Sequence, residues 1–161
     1  MLLWFASLSV LGVFLVFRDA ALDYRLVAVG SLLPDPVDAV LRSGVGPAHS
    51  VSVAVAFLTV VMLATIGRRT LRRRLLALPI GVFAHLVLDG AWADTSAFWW
   101  PFTRRAVDGP LPALDHGVVV VIAEELLGAA AAAYCYRRFG LARASRRSLF
   151  LRSGRLDRSV V

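Results

Sequence analysis

The chain has 161 residues, 58% of them hydrophobic and 18% charged, with a mean hydropathy of +0.71 and a formal net charge of +7. Its apolar runs of about fifteen to twenty residues have no polar face, which excludes an ordinary soluble domain and predicts an all-α integral membrane helical bundle of four to five transmembrane segments. All 18 basic residues are arginine and they sit in blocks beside the apolar runs, so the charge reads as membrane orientation and no nucleic-acid partner is expected. The single cysteine, Cys135, allows no intrachain disulfide.

Met1 to Phe17 is apolar, lacks a basic leading stretch and a small-residue cleavage pattern, and reads as a retained helix rather than a signal peptide. Asp19 to Leu33 is a short second segment, since its purely apolar part, Leu26 to Leu33, is too short to cross about 30 Å alone. Pro34 is expected to stop it. Ala48 to Ile66 reads as a span ending in the block Arg68 to Arg74, Leu75 to Ala93 as its return, and Gly117 to Tyr136 as the last crossing. Trp92, Trp99 and Trp100 suit the far interface, and Tyr134 and Tyr136 the near one. Gly128 and Ala129 to Ala133 predict a close helix contact. The chain divides into a transmembrane helical domain, residues 1–136, and a basic cytoplasmic tail, residues 137–161. In the tail, Phe139, Leu141, Leu149, Phe150 and Leu151 among arginines suit an amphipathic segment on anionic lipids of the inner leaflet.

Five arginines lie in the 68–74 block and eight between Arg137 and Arg158. Placing both groups inside, together with Arg18 and Arg25, gives five segments in an inner (plasma) membrane, with the N-terminus outside and the C-terminus cytoplasmic. The alternative is four spans, with Asp19 to Leu33 re-entrant or lying along the interface. Either way residues 34–47 lie outside.

Within the span that follows the first arginine block, His85 and Asp89 stand at i, i+4, on one helical face, with Gly81 a turn earlier on the same row where another helix can approach closely. Ionisable groups at such depth are costly and mark a functional site by default; a hydrogen-bonded pair that locks two helices together is the plainer reading. At about 1.5 Å per residue, His85 lies roughly 12 Å and Glu124 roughly 10 Å below the outer ends of their helices. Glu124 or Glu125 is therefore expected to meet His85, while Asp35 and His49 fall at the same outer end. Asp38 reads best as the N-cap of a short helix over 39–42, and Asp115 and His116 as the cap and first turn of the last helix.

Leu32-Leu33-Pro34-Asp35, Ala48-His49-Ser50, the run from Gly81 to Asp89 and Trp100-Pro101-Phe102 together resemble the bacterial membrane-bound metal-dependent hydrolases, the LexA-regulated inner-membrane hydrolase group, over roughly residues 26–102. The resemblance implies metal ligands at Asp35, His49, His85 and Asp89. Where the family usually has a histidine five residues before the second motif's histidine, this chain has Gly44, and Asp38 follows Asp35 by three residues instead of two.

A hydrolytic site needs about three nitrogen or oxygen ligands and one open position. His49, His85 and a carboxylate would suffice for a divalent metal, with zinc the expected ion. Asp89 or Glu124 would serve as the general base or orient a ligand histidine. The expected activity is hydrolysis of an ester or phosphoester, lipid-linked in the reading from site depth, by a metal-activated water at the extracytoplasmic side. A non-catalytic membrane scaffold and a transport or proton-relay protein are the alternatives. The relay is weakened because no polar residue continues from Glu125 to the inner arginines.

Overall fold

The structure is a computed structural model that describes residues 1–41, 46–93, 95–103 and 117–161. Nine α-helices are described: α1 (Leu2–Phe17), α2 (Tyr24–Ser31), α3 (Pro34–Leu41), α4 (Val51–Ala64), α5 (Arg69–Leu75), α6 (Ala77–Leu88), α7 (Thr95–Phe98), α8 (Val118–Arg138) and α9 (Ala144–Ser153), with short 3-10 turns at Pro47–His49, Ala91–Ala93 and Arg158–Val160. Among the described residues there is no strand, in accord with the all-α expectation. Among the described residues one helix, α8, is long and apolar enough to cross a membrane; α1 and α4 are apolar but shorter.

The helix before Pro34, α2, ends at Ser31 as expected, and Pro34 also opens the next one. It occupies the first position of α3, where the missing N–H costs nothing and the ring's fixed φ suits a first turn. The span expected from Ala48 begins as helix only at Val51. Ser50 caps it, its hydroxyl accepting from the Val53 N–H at 3.2 Å, and His49 stands on the 3-10 turn just before.

The bundle is assembled on two close helix contacts. Gly30 of α2 lies against the Leu78 carbonyl of α6, and Gly81 of α6 lies against the backbone of Val27, Gly30 and Ser31; a Cβ at either position would collide with main chain. Gly81 thus has the close neighbour its place on the row suggested, and the neighbour is α2. On the other side, Gly128 of α8 abuts the backbone of Leu3 and Trp4, and further along the same helices Phe139 meets Phe14 with ring centroids 5.0 Å apart. The two contacts advance together along both chains, so α1 and α8 run parallel. Phe5 meets His85 near one end of α1 while Val13, Phe14 and Ala77 share a core near the other, so α6 runs antiparallel to α1 and parallel to α2. α4 packs on the outer side of α6 through Ala54, Val82 and Leu86.

Charge separates along the bundle. At the end where α1 stops, Arg73 bonds Asp19 at 2.9 Å, and Asp23, almost fully buried, receives Arg25 at 3.1 Å and Arg74 at 3.2 Å while capping α2. Burial pushes the Asp19 carboxyl up, but the Ala21 amide and Arg73 outweigh it and hold the group below the usual carboxylate value. Residues 137–161, expected as a separate basic tail, fold back onto this end. Phe139, Leu156 and Val160 are buried in one core with Val13, Tyr24 and Val27, the Leu156 N–H donates to Ala20 O at 2.9 Å, and Arg25 Nη1 donates to Leu151 O at 2.6 Å. The candidate site lies at the opposite end.

Candidate metal centre

Three elements bring one side chain each to a single point. Asp35 comes from the first turn of α3, His49 from the 3-10 turn that precedes α4, and His85 from the last turn of α6. One ligand atom from each lies within 4.8 Å of the others, an arrangement able to hold a metal ion. The separations are 3.2 Å between the Nε2 atoms of His49 and His85, 3.3 Å from His49 Nε2 to Asp35 Oδ1, and 3.7 Å from His85 Nε2 to Asp35 Oδ1. Asp89 caps α6, its N–H bonded to His85 O, and places Oδ2 3.8 Å from His49 Nε2. Asp35, His49, His85 and Asp89, four residues distant in sequence, therefore share one site.

The ring orientations are set by groups behind them. His85 Nδ1 lies 2.7 Å from the carbonyl oxygen of Ser31. A carbonyl only accepts, so the proton is on Nδ1 and Nε2 carries a bare lone pair. His49 Nδ1 lies 2.6 Å from Asp38 Oδ2, and the Asp38 carboxylate also accepts from the Gly46 and Ala48 N–H groups at 2.8 and 3.0 Å. Here too Nδ1 donates, and Nε2 faces His85 Nε2 and Asp35 Oδ1, where it carries a proton or binds a cation. Asp38 is not the N-cap of a helix over 39–42. It sits inside α3, one turn after Asp35 on the same face, and reaches across to pin the following loop and His49 together. Its role was legible only once α3 was known to begin at Pro34.

Two ring nitrogens and a carboxylate oxygen that converge in this way repel one another unless a proton or a cation lies among them. The spacing suits a metal: bonds of about 2.0–2.1 Å in tetrahedral zinc put the ligand atoms about 3.3–3.4 Å apart. Both imidazoles are fully buried, whereas the Asp35 side chain is 26% exposed, so the cluster is reached from the Asp35 side. The buried face of His85 is covered by Phe5, which stacks on it at 4.0 Å and 27°. Two imidazoles and a carboxylate, backed by a carbonyl and a second carboxylate, form a cluster that could hold a metal ion.

Among the described residues neither Glu124 nor Glu125 makes a hydrogen bond or ion pair with His85. Both of its ring nitrogens are engaged, by Ser31 on one side and by His49 and Asp35 on the other, and α8 reaches the bundle through α1. The buried residues of α8, Gly128, Ala131 and Cys135, continue from Glu124 at helical spacing, so this face looks at α1, whose Phe5 stands before the imidazole. Glu125 instead accepts from the Leu3 N–H at 3.1 Å. Gly44, Asp115 and His116 lie outside the described residues.

Comparison with protein-family models, with curated proteins and with solved structures returns no match for this chain.

Proposed function

We propose that the chain is an integral membrane metal-dependent hydrolase that cleaves an ester or phosphoester at the bundle end remote from its arginines. The observation that carries this is the pair of Nε2 atoms 3.2 Å apart, with Asp35 Oδ1 within 3.3 and 3.7 Å of them. Asp35, His49 and His85 would hold the ion, and zinc fits their chemistry. A divalent cation there would polarise an ester oxygen and acidify a water. The Asp89 carboxylate, with no exposed surface and 3.8 Å from His49 Nε2, is placed to take up a proton. Phe5 and the buried histidines keep water from the rear of the cluster.

A membrane setting is supported by α8. It exposes Val118, Val119, Ile122, Leu126 and Leu127, and only 17% of its apolar window is buried, which a core helix of a soluble protein would not tolerate. Helix direction supports the five-segment topology: α1, α4 and α8 run away from the metal cluster, and α2 and α6 run towards it. Arginines at the opposite end then face the cytoplasm, which puts the cluster on the extracytoplasmic side. The resemblance to the bacterial membrane-bound metal-dependent hydrolases agrees with this assignment residue by residue at Asp35, His49, His85 and Asp89. With no match to support it, the family remains part of the proposal.

The direct test is metal content in detergent-purified protein, followed by ester and phosphoester hydrolysis. The wild type is expected to hold about one divalent ion per chain, and His49→Ala and His85→Ala to lose it together with activity. Equal metal in all three proteins would exclude the mechanism.

A further inference from the structure

Beside the metal cluster runs a cavity of about 230 Å³ lined only by apolar residues. Three of its walls are the elements that build the cluster. On α3, Pro34 and Val37 face the cavity while Asp35 and Asp38 face the histidines, two i, i+3 pairs on adjacent faces of one helix. On the 3-10 turn, Ala48 lines the cavity and His49 the cluster; on α6, Val82 lines the cavity and His85, one turn on, the cluster. Val53 and Phe57 of α4 close the far wall.

We propose that this trough seats the first part of an acyl chain of a bilayer glycerolipid, and that the bond presented to the cluster is that chain's carboxylic ester. The inference rests on the hydrolase reading and narrows its substrate class. Three features of the site select this occupant. The trough is wholly apolar and shares its walls with a polar reactive centre, so the guest is an amphiphile whose polar bond lies immediately at the head of its chain. In a glycerolipid that bond is the acyl ester, whereas the phosphoester lies beyond the glycerol carbons. A helix, 10–12 Å across, is too thick for a cavity of this size, which excludes a second copy or a partner helix. The trough also continues onto exposed apolar surface of its own walls, through Val37 and Val40 of α3 and Val60 of α4, along which a chain enters sideways from the bilayer.

Charge agrees. Asp35, Asp38 and Asp89 around one divalent site leave no surplus positive charge for the phosphodiester anion, while a neutral ester carbonyl brings no such penalty. In the reaction, the oxygen of water bonds to the acyl carbon and the bond from that carbon to the glycerol oxygen breaks. The glycerol oxygen takes one proton of the water, the other goes to Asp89 and then to solvent, and a fatty acid carboxylate and a free hydroxyl remain.

The test uses the full chain in phosphatidylethanolamine and phosphatidylglycerol vesicles that carry a diazirine near the ester end of one acyl chain, with zinc supplied. Labelling is expected to concentrate on the peptides of α3 and α4 that hold Val37, Val53 and Phe57, and free fatty acid to be released. Val37→Trp fills the trough from its open side and should lower both signals about tenfold while metal content stays at the wild-type level. His85→Ala should keep the labelling and lose the release. Three results would overturn the inference: labelling spread evenly over α1, α4 and α8; undiminished fatty acid release from Val37→Trp; or release of the phosphate headgroup in place of fatty acid. Metal bound with hydrolysis of soluble esters but no trough labelling would sink the acyl site and leave the hydrolase reading standing. Absence of metal and of all hydrolysis would sink both.

Discussion

The Nε2 atoms of His49 and His85 face each other at 3.2 Å, and neither ring can turn away because each Nδ1 is already committed, to Asp38 and to the Ser31 carbonyl. Relief of that repulsion by a cation is a folding contribution, so metal and stability are linked. Chelation is expected to lower the thermal midpoint of the wild type and zinc to restore it, the stabilisation being about 2.7 kcal/mol at a free metal concentration of 100 times the dissociation constant. His85→Ala should unfold at one temperature with or without metal. The measurement is a thermal scan in detergent; a wild-type midpoint indifferent to both chelator and zinc would point to a proton, not a metal, between the rings.

Asp38 acts through His49. Asp38→Asn puts an amide NH2 against either the His49 Nδ1 or a backbone N–H that the carboxylate now accepts. The first arrangement moves the imidazole proton to Nε2 and blocks the ligand lone pair. Zinc affinity should fall about 10–100-fold, as for other outer partners of ligand histidines. Nitrogen chemical shifts of the His49 ring separate this from a purely structural effect, since only the positioning role requires a change of tautomer.

The i, i+4 pair His85 and Asp89 and the row position of Gly81 were legible in the sequence because both follow from helix periodicity alone. What joins them was less so. α2 and α3 have eight residues each, too few for a hydrophobic period to declare itself, so the helix that Pro34 opens went unseen and Asp38 read as a cap. The depth of Glu124 could be counted along the chain, but the direction it faces depends on Gly128 choosing α1 as its neighbour, which is a tertiary choice. The arginine blocks marked one end of the bundle correctly by charge. That the last of them belongs to a segment packed through Leu156 and Val160 could not be seen from its polar composition.

Two glycines of the apolar helices should respond oppositely to alanine. At Gly81 a Cβ would strike the Val27 carbonyl and crowd the Ser31 nitrogen, so α2 must move and the Ser31 carbonyl with it. Gly81→Ala should cost at least about 1–3 kcal/mol and weaken metal binding as His85 loses its orientation. At Gly12 of α1 a Cβ meets nothing within 4 Å. Gly12→Ala should therefore leave metal content unchanged and stabilise by up to about 0.5–1 kcal/mol through helix propensity. Thermal midpoints and zinc content of the two variants provide the comparison, and equal behaviour would contradict the α2 to α6 contact.

The arginine-rich end can be loosened without touching the cluster. Asp23 has 2% of its side chain exposed and is held between Arg25 and Arg74, but those guanidinium groups are 30% and 55% exposed, so solvent screens part of the interaction. Asp23→Asn keeps an acceptor for the α2 N-cap and removes the charge that fixes both arginines. The expected loss is about 1–3 kcal/mol, less than the 3–5 kcal/mol typical of breaking a fully buried pair. It should be felt first in the tail, because Arg25 also holds the Leu151 carbonyl and the Gly154 carbonyl accepts from the Tyr24 N–H. Limited proteolysis of the variant should cut within residues 144–161 faster than in wild type, while zinc content and the rate of ester hydrolysis stay unchanged. Loss of metal together with tail release would mean that α2 transmits the change to Ser31 and hence to His85, and that the two ends of the bundle are not independent.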